Sequence, residues 1–170
     1  MSMAHMADGQ SQPLDETLNE LLRAMQTAHL RDGFANLGLR RDRLGRIGAM
    51  VRENQDTIIA AIDADFGGRS REETLIAEVF TTLSSVRHAK GGVAKWMRPR
   101  RRAMDLAFKP ARATLMPQPL GVAGIISPWN YPLLMVLSPL VGALAAGNRA
   151  MVKPSEFTPR TSELLAEMIA

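Results

Sequence analysis

The feature that most constrains the fold is residues 120–156, LGVAGIISPWNYPLLMVLSPLVGALAAGNRAMVKPSE. Two short apolar runs, at residues 121–126 and 150–152, flank an apolar segment of helical length at residues 133–146. Strands that are apolar on both faces and joined through a helix are typical of parallel strands buried on both sides. The pattern therefore predicts a βαβ unit. Ligands of such sheets collect at the carboxyl ends of the strands, so we expect chemistry at residues 127–131 and 153–156.

The composition excludes several kinds of site. The chain has no cysteine, which rules out disulfides, thiolate metal sites and a cysteine nucleophile within it. Its three histidines lack the spacing of metal ligands, so we expect no metal site. The apolar segment at 133–146 is shorter than the roughly 20 residues of a membrane span and contains Pro139, which indicates a buried helix and no membrane partner. The first residues do not resemble a signal peptide, so the default compartment is the cytoplasm.

Upstream of the βαβ unit the pattern is helical. Apolar periodicity predicts helices at residues 14–29, 40–53 and 56–66, with Gly67 as a left-handed cap. Ser70 and Glu73 have capping-box spacing and open a long helix to about residue 88. A last, separate helix then carries Trp96.

The chain divides into four segments on this interpretation. Residues 1–12 are expected to be disordered or vector-derived, residues 13–98 helical, residues 99–118 a basic connector with a bridging strand, and residues 119–170 the βαβ part. A strand at 113–118 is expected to pair with another chain or with a part of the protein outside this one. The chain ends within helical spacing and without a capping residue, so we expect truncation.

The net charge of +4 and the basic run at residues 98–102 raise the alternative of nucleic-acid binding. The run is short and has no binding motif around it, so a solvated connector is preferred and no nucleic-acid partner is expected. A steep salt dependence of binding distinguishes the two interpretations.

Several motifs carry a family resemblance. The runs GIISPWNYP and PLVGALAAGNRAMVKPSE resemble the aldehyde dehydrogenase superfamily, and NQDTIIAAIDADFG, RSREETLIAEV and KWMRPRR resemble its coniferyl-aldehyde dehydrogenase branch. The resemblance covers residues 14–170, the N-terminal third or so of such an enzyme. It implies an α/β fold in which a helical layer precedes the first βαβ unit of a Rossmann-like nicotinamide-cofactor domain. It also implies NAD- or NADP-dependent oxidation of an aldehyde, aromatic or extended, to a carboxylic acid by a homodimer.

The resemblance gives Asn130 a catalytic role. In the SPWNYP motif it matches the asparagine whose amide stabilises the oxyanion formed when a thiolate attacks an aldehyde. An amide suits that role because it stabilises negative charge without protonating the intermediate. The alternative is that Asn130 caps the helix that follows it.

The resemblance also assigns a cofactor site. Lys153 and Glu156 match the pair that contacts the adenosine ribose of NAD or NADP, and Ser155 is a small neighbour that accommodates a phosphate. Loop positions that pass close to the cofactor are Ile126, Ser127, Pro128 and Trp129. The alternatives are core packing for Trp129 and a solvated loop charge for Lys153.

By the same resemblance, the family's nucleophilic cysteine, its general-base glutamate and its glycine-containing turn lie downstream of this sequence. A thiohemiacetal needs a thiolate, so we expect the chain alone to be inactive. The alternative function is a non-catalytic remnant that associates with partners through the strand at 113–118 or through exposed apolar faces.

Overall fold

Helices form most of the first hundred residues. The computed structural model describes residues 11–169, with side chains described from residue 16. Three helices come first: α1 (Ser11–Asp32), α2 (Leu37–Glu53) and α3 (Gln55–Phe66). A continuous helical stretch follows: α4 (Arg71–Glu73), a π-helical segment (Thr74–Phe80) and α5 (Thr81–Trp96). Residues 1–10 of the predicted N-terminal segment lie outside the described residues.

The turn between α3 and α4 forms as its sequence predicts. Gly67 ends α3 with a φ of 68°, a left-handed conformation that glycine adopts without steric cost. The Ser70 hydroxyl oxygen accepts a hydrogen bond from the Glu73 N–H at 3.0 Å. The predicted helix stop and the predicted N-cap are thus confirmed.

The prediction that the long helix ends near residue 88 and that a separate helix carries Trp96 is wrong. α5 continues through Gly91 and Gly92 to Trp96. A Cβ added to Gly92 would lie 2.4 Å from the Trp96 ring, so this glycine makes room for the indole. Gly92 therefore reflects side-chain packing, and the glycine pair does not break the helix.

The basic connector contains a short antiparallel hairpin. β1 (Arg100–Arg102) pairs with β2 (Ala113–Leu115), in a register that aligns Arg100 with Leu115. A 3₁₀ turn at Leu106–Phe108 lies between the two strands. The strand predicted at 113–118 is therefore shorter than expected, and it pairs within its own chain. The expectation that it pairs with another chain or an outside segment is wrong for this structure.

The βαβ unit is confirmed. β3 (Val122–Ile126) and β4 (Arg149–Lys153) are parallel, and α6 (Pro132–Ala146) connects them. Gly147 ends α6 with a φ of 89°, and α7 (Pro159–Ile169) follows the second strand. This two-stranded parallel sheet sets the position of both predicted sites.

The core lies between α2, α5 and α6, and side chains of α3 extend it. Its largest fully buried apolar side chains are Leu44, Ile58, Ile62, Leu133 and Leu137. One hydrophobic cluster joins the helical layer to α6 and the parallel strands. Among residues 11–169, none of the helices combines the length and apolar character needed to cross a membrane.

Candidate active site

The loops that follow β3 and β4 start side by side at one edge of the parallel sheet. Ile126 is aligned with Lys153, and the Ser127 N–H donates to the Lys153 carbonyl at 3.0 Å. Residues 127–131 and 153–156 therefore leave the sheet together. The structure brings both predicted sites to a common edge.

Asn130 lies in the loop between β3 and α6, with its side chain exposed. The N-cap residue of α6 is Tyr131, and its side chain makes no capping hydrogen bond to the helix. Within the described part of the chain, the Asn130 amide makes no hydrogen bond, so the interpretation of Asn130 as a helix cap is wrong. Only its main-chain carbonyl is bound, to Arg69. The amide is therefore exposed and without a hydrogen-bond partner among the described residues.

Arg69 fixes this loop from the helical side. Its guanidinium donates to the Asn130 carbonyl at 2.9 Å. It also lies over two aromatic rings, 4.8 Å from the Phe66 centroid and 4.6 Å from the Tyr131 centroid. Its side chain is only 5% exposed, so these contacts form largely out of solvent.

Glu78 caps α6 from the π-helical segment. One carboxylate oxygen, Oε2, accepts the N–H groups of Leu133 at 2.7 Å and Leu134 at 3.1 Å. The other, Oε1, lies 3.3 Å from Arg69 Nη1, and the side chain is fully buried. A negative charge is stabilised at a helix N-terminus by free N–H groups and by the helix dipole.

The pKa of Glu78 reflects both burial and these partners. Burial raises it above the ordinary carboxyl value, while the two backbone hydrogen bonds and Arg69 oppose the rise. Sequence reasoning missed both Arg69 and Glu78. The available signal was a carboxylate inside the apolar run TLIAEVF, where a charge is costly to bury unless it is paired.

The predicted cofactor pair is exposed at the end of β4. Lys153 Nζ and Glu156 Oε2 form an ion pair in which the ammonium donates. That hydrogen bond lowers the pKa of Glu156 below its ordinary value, so the carboxylate is ionised at neutral pH. The edge thus presents one donor and one acceptor to solvent.

The end of β3 and the loop after it expose apolar surface at the same edge of the sheet. Ile126 is 84% exposed and Trp129 is 52% exposed, and the indole lies 6.2 Å from the Phe66 ring, centroid to centroid. Pro128, between them, is also exposed. These side chains offer a surface for a planar or apolar group.

The two serines predicted for the cofactor site are buried. The Ser127 hydroxyl donates to the Pro128 carbonyl at 3.3 Å. The Ser155 hydroxyl oxygen accepts the Phe157 N–H at 3.2 Å and so shapes the turn after β4. Their contacts here are structural, and their role toward a cofactor stays a prediction. Within residues 11–169, we find no cluster of three or more histidine, aspartate or glutamate side chains suited to a metal ion.

Comparison with protein families and relatives adds an independent line of support. The model of the aldehyde dehydrogenase family matches residues 4–170. Coniferyl aldehyde dehydrogenase from a Pseudomonas species is 52% identical over 156 residues, which are 91% of this chain and 32% of that protein. Aldehyde dehydrogenase family 3 member F1 from Arabidopsis thaliana is 34% identical over 156 residues, covering 92% of this chain and 32% of that protein. The chain spans about a third of the length of these relatives.

Solved structures agree in fold. An aldehyde dehydrogenase from Staphylococcus aureus in a substrate-bound state superposes with a TM-score of 0.84 at 25% identity, covering 89% of this chain and 33% of that one. Glyceraldehyde-3-phosphate dehydrogenase from Methanocaldococcus jannaschii, complexed with NADP, gives a TM-score of 0.77 at 21% identity, covering 91% of this chain and 32% of that one. The family match and these likenesses agree with the sequence motifs, and the chain belongs to the aldehyde dehydrogenase family.

Proposed function

We propose that this chain forms the N-terminal part of an NAD- or NADP-dependent aldehyde dehydrogenase that oxidises an aldehyde to a carboxylic acid. The 52% identity to a coniferyl aldehyde dehydrogenase favours an aromatic or extended aldehyde as substrate. The helical layer and the βαβ unit would form the beginning of a Rossmann-like cofactor domain. The family resemblance favours a homodimer for the full-length enzyme.

Asn130 is the oxyanion donor in this proposal. The observation that carries it is an exposed amide, without a hydrogen-bond partner in the described residues, on the loop that follows a parallel strand. Ligands of such sheets collect at that edge. Asn130 is held in place through its backbone carbonyl. Its side-chain amide can therefore donate to the negative oxygen without first breaking another hydrogen bond.

The residues at the end of β4 fit a nicotinamide cofactor. The hydroxyl groups of a ribose can donate hydrogen bonds to a carboxylate and accept them from an ammonium group. Glu156 and Lys153 provide these two groups. Ile126 and Trp129 supply exposed apolar surface beside them. When bound, the cofactor supplies a hydride acceptor, and this chain's side chains would bind and orient it. Binding to Glu156 requires that its ion pair with Lys153 open or rearrange.

The nucleophile of the reaction must come from outside this segment, because the chain has no cysteine. The segment would contribute the oxyanion donor and part of the adenosine site. The expected consequence is that the chain alone does not oxidise aldehydes.

The test of the proposal is Asn130→Ala in a full-length enzyme that contains this segment. We expect kcat to fall by about 10²–10³, as for the loss of one oxyanion donor, while the Kd of the cofactor changes little. Asn36→Ala is the matched control, because Asn36 is exposed and caps α2 through the Leu39 N–H. Equal kcat in wild type, Asn130→Ala and Asn36→Ala would remove Asn130 from the reaction.

A further inference from the structure

We propose that Arg69 and Glu78 are positioning residues that together hold the Asn130 loop in its working geometry. The inference rests on the proposed role of Asn130 as oxyanion donor. Neither residue reaches the exposed amide itself, since their contacts are to backbone atoms and to rings of the loop.

The loop is held at successive points, all from one short stretch of chain. Arg69 donates to the Asn130 carbonyl at 2.9 Å and lies 4.6 Å from the Tyr131 ring centroid. Glu78 accepts the N–H groups of Leu133 and Leu134, the first turn of α6. The loop is therefore fixed just before the helix, at its start and in its first turn.

The two positioning residues also depend on each other. Glu78 Oε1 lies 3.3 Å from Arg69 Nη1, and their side chains are 0% and 5% exposed. Removing Arg69 leaves the buried Glu78 carboxylate without its ion-pair partner, which is strongly destabilising for the local arrangement. Removing Glu78 takes away the cap of α6, while Arg69 keeps a second partner in Glu73, 3.2 Å from its Nη2. Either substitution should therefore disturb the same loop.

A cap supplied by Glu78 explains why Asn130 is available for chemistry. The first N–H groups of α6 need an acceptor, and the side chain of the N-cap residue Tyr131 does not provide one. Here the carboxylate of Glu78 does so from the π-helical segment Thr74–Phe80, a kind of segment that is frequent at functional sites. Asn130 lies one position before the N-cap, and its amide is not needed as an acceptor at the helix start. Small displacements of a catalytic group are costly, with about 10²-fold for a shift near 1 Å.

The test uses Glu78→Leu, Glu78→Gln and Arg69→Met in a full-length enzyme that contains this segment. Glu78→Leu removes the acceptor for α6, and Arg69→Met keeps apolar contact with the rings but removes the donor to the Asn130 carbonyl. We expect Glu78→Leu and Arg69→Met each to lower kcat by about tenfold or more, with the aldehyde KM and the cofactor Kd within about threefold of wild type. Glu78→Gln keeps an oxygen acceptor for the α6 N–H groups but removes the charge that faces Arg69, so its kcat should lie between those of wild type and Glu78→Leu.

Thr82→Val is the matched control for a buried polar change in the same helical stretch. Thr82 is fully buried, and its hydroxyl has no hydrogen-bond partner among the described residues. Its kcat should stay within about twofold of wild type, since the hydroxyl that the substitution removes makes no hydrogen bond among the described residues. If Glu78→Leu does not fold, Arg69→Met and Glu78→Gln carry the comparison.

A double-mutant cycle separates this inference from the proposed function. In an Asn130→Ala background, Glu78→Leu or Arg69→Met should lower kcat by less than about threefold, because the group that they position is gone. A full tenfold loss in that background, or wild-type kcat in both single variants, overturns the positioning role while Asn130→Ala itself remains slow. A wild-type kcat for Asn130→Ala overturns the proposed function, and the positioning role with it.

Discussion

Asn148 is the residue whose loss should most weaken the parallel sheet. It is buried just before β4, and its side-chain oxygen accepts the N–H of Leu120 at 2.7 Å and of Gly121 at 3.0 Å. The Arg149 N–H in turn donates to the Gly121 carbonyl at 2.8 Å. These bonds fix the start of β3 against β4 and so set the register that brings both loops to one edge.

The size of the effect follows from the two N–H groups left without an acceptor in Asn148→Ala. Each unsatisfied buried donor costs about 1–3 kcal/mol. Water can reach the Leu120 end, because that residue is exposed, whereas Gly121 is buried. The Leu120 N–H should therefore cost less than the Gly121 N–H, and we expect Asn148→Ala to lower the free energy of unfolding by about 2–3 kcal/mol in total.

Urea denaturation of the purified protein measures this loss through the free energy of unfolding. Asn36→Ala is the control, because it removes a single exposed N-cap bond, for which about 1 kcal/mol is expected. If Asn148→Ala costs no more than Asn36→Ala, the two Asn148 hydrogen bonds do not determine the strand register.

Four further predictions concern chemistry and charge. The chain alone, with no cysteine, should show no aldehyde oxidation with NAD or NADP, and turnover that persists after removal of contaminating enzyme would contradict this. In full-length enzyme, Glu156→Gln should raise the ratio of kcat/KM for NADP to that for NAD, because a carboxylate repels a 2′-phosphate, and an unaltered ratio would exclude Glu156 from the adenosine site. A Lys153→Ala variant should lose more efficiency with NADP than with NAD, and equal losses would mean that Lys153 contacts the ribose alone. Burial raises the pKa of Glu78 in the folded protein above that of the unfolded chain, which is about 4.3. The contribution of Glu78 to the free energy of unfolding should therefore fall as the pH rises from the unfolded-state pKa through the folded-state pKa. Glu78→Gln should remove that slope, and parallel stability curves for variant and wild type from pH 4 to 8 would refute it.

Local patterns were sufficient to predict the βαβ unit. Apolar runs on both sides of a helix, with Gly147 at the helix end, indicate β3, α6 and β4 because each segment carries its own hydrophobic pattern. The same holds for the Gly67 stop and the Ser70 cap, which depend on one backbone conformation and one local hydrogen bond.

The part of the site that depends on distant partners was not predictable in this way. Glu78 is stable in the core because Arg69 and the first N–H groups of α6 surround it, and those groups lie up to 56 positions away in sequence. Periodicity alone treats a carboxylate as an exposed residue. The pairing of β1 with β2 was missed for a different reason, because three consecutive exposed arginines carry no hydrophobic alternation that would indicate a strand.

The role of Asn130 as oxyanion donor is tested most directly by the single-turnover rate of hydride transfer in full-length enzyme. This rate is compared between wild type and Asn130→Ala at saturating cofactor and aldehyde. Single-turnover conditions separate the chemical step from product release. If the exposed Asn130 amide stabilises the reacting oxygen, the rate should fall by about 10²–10³ while the Kd of the cofactor stays unchanged. An unchanged single-turnover rate would show that the Asn130 amide does not stabilise the reacting oxygen.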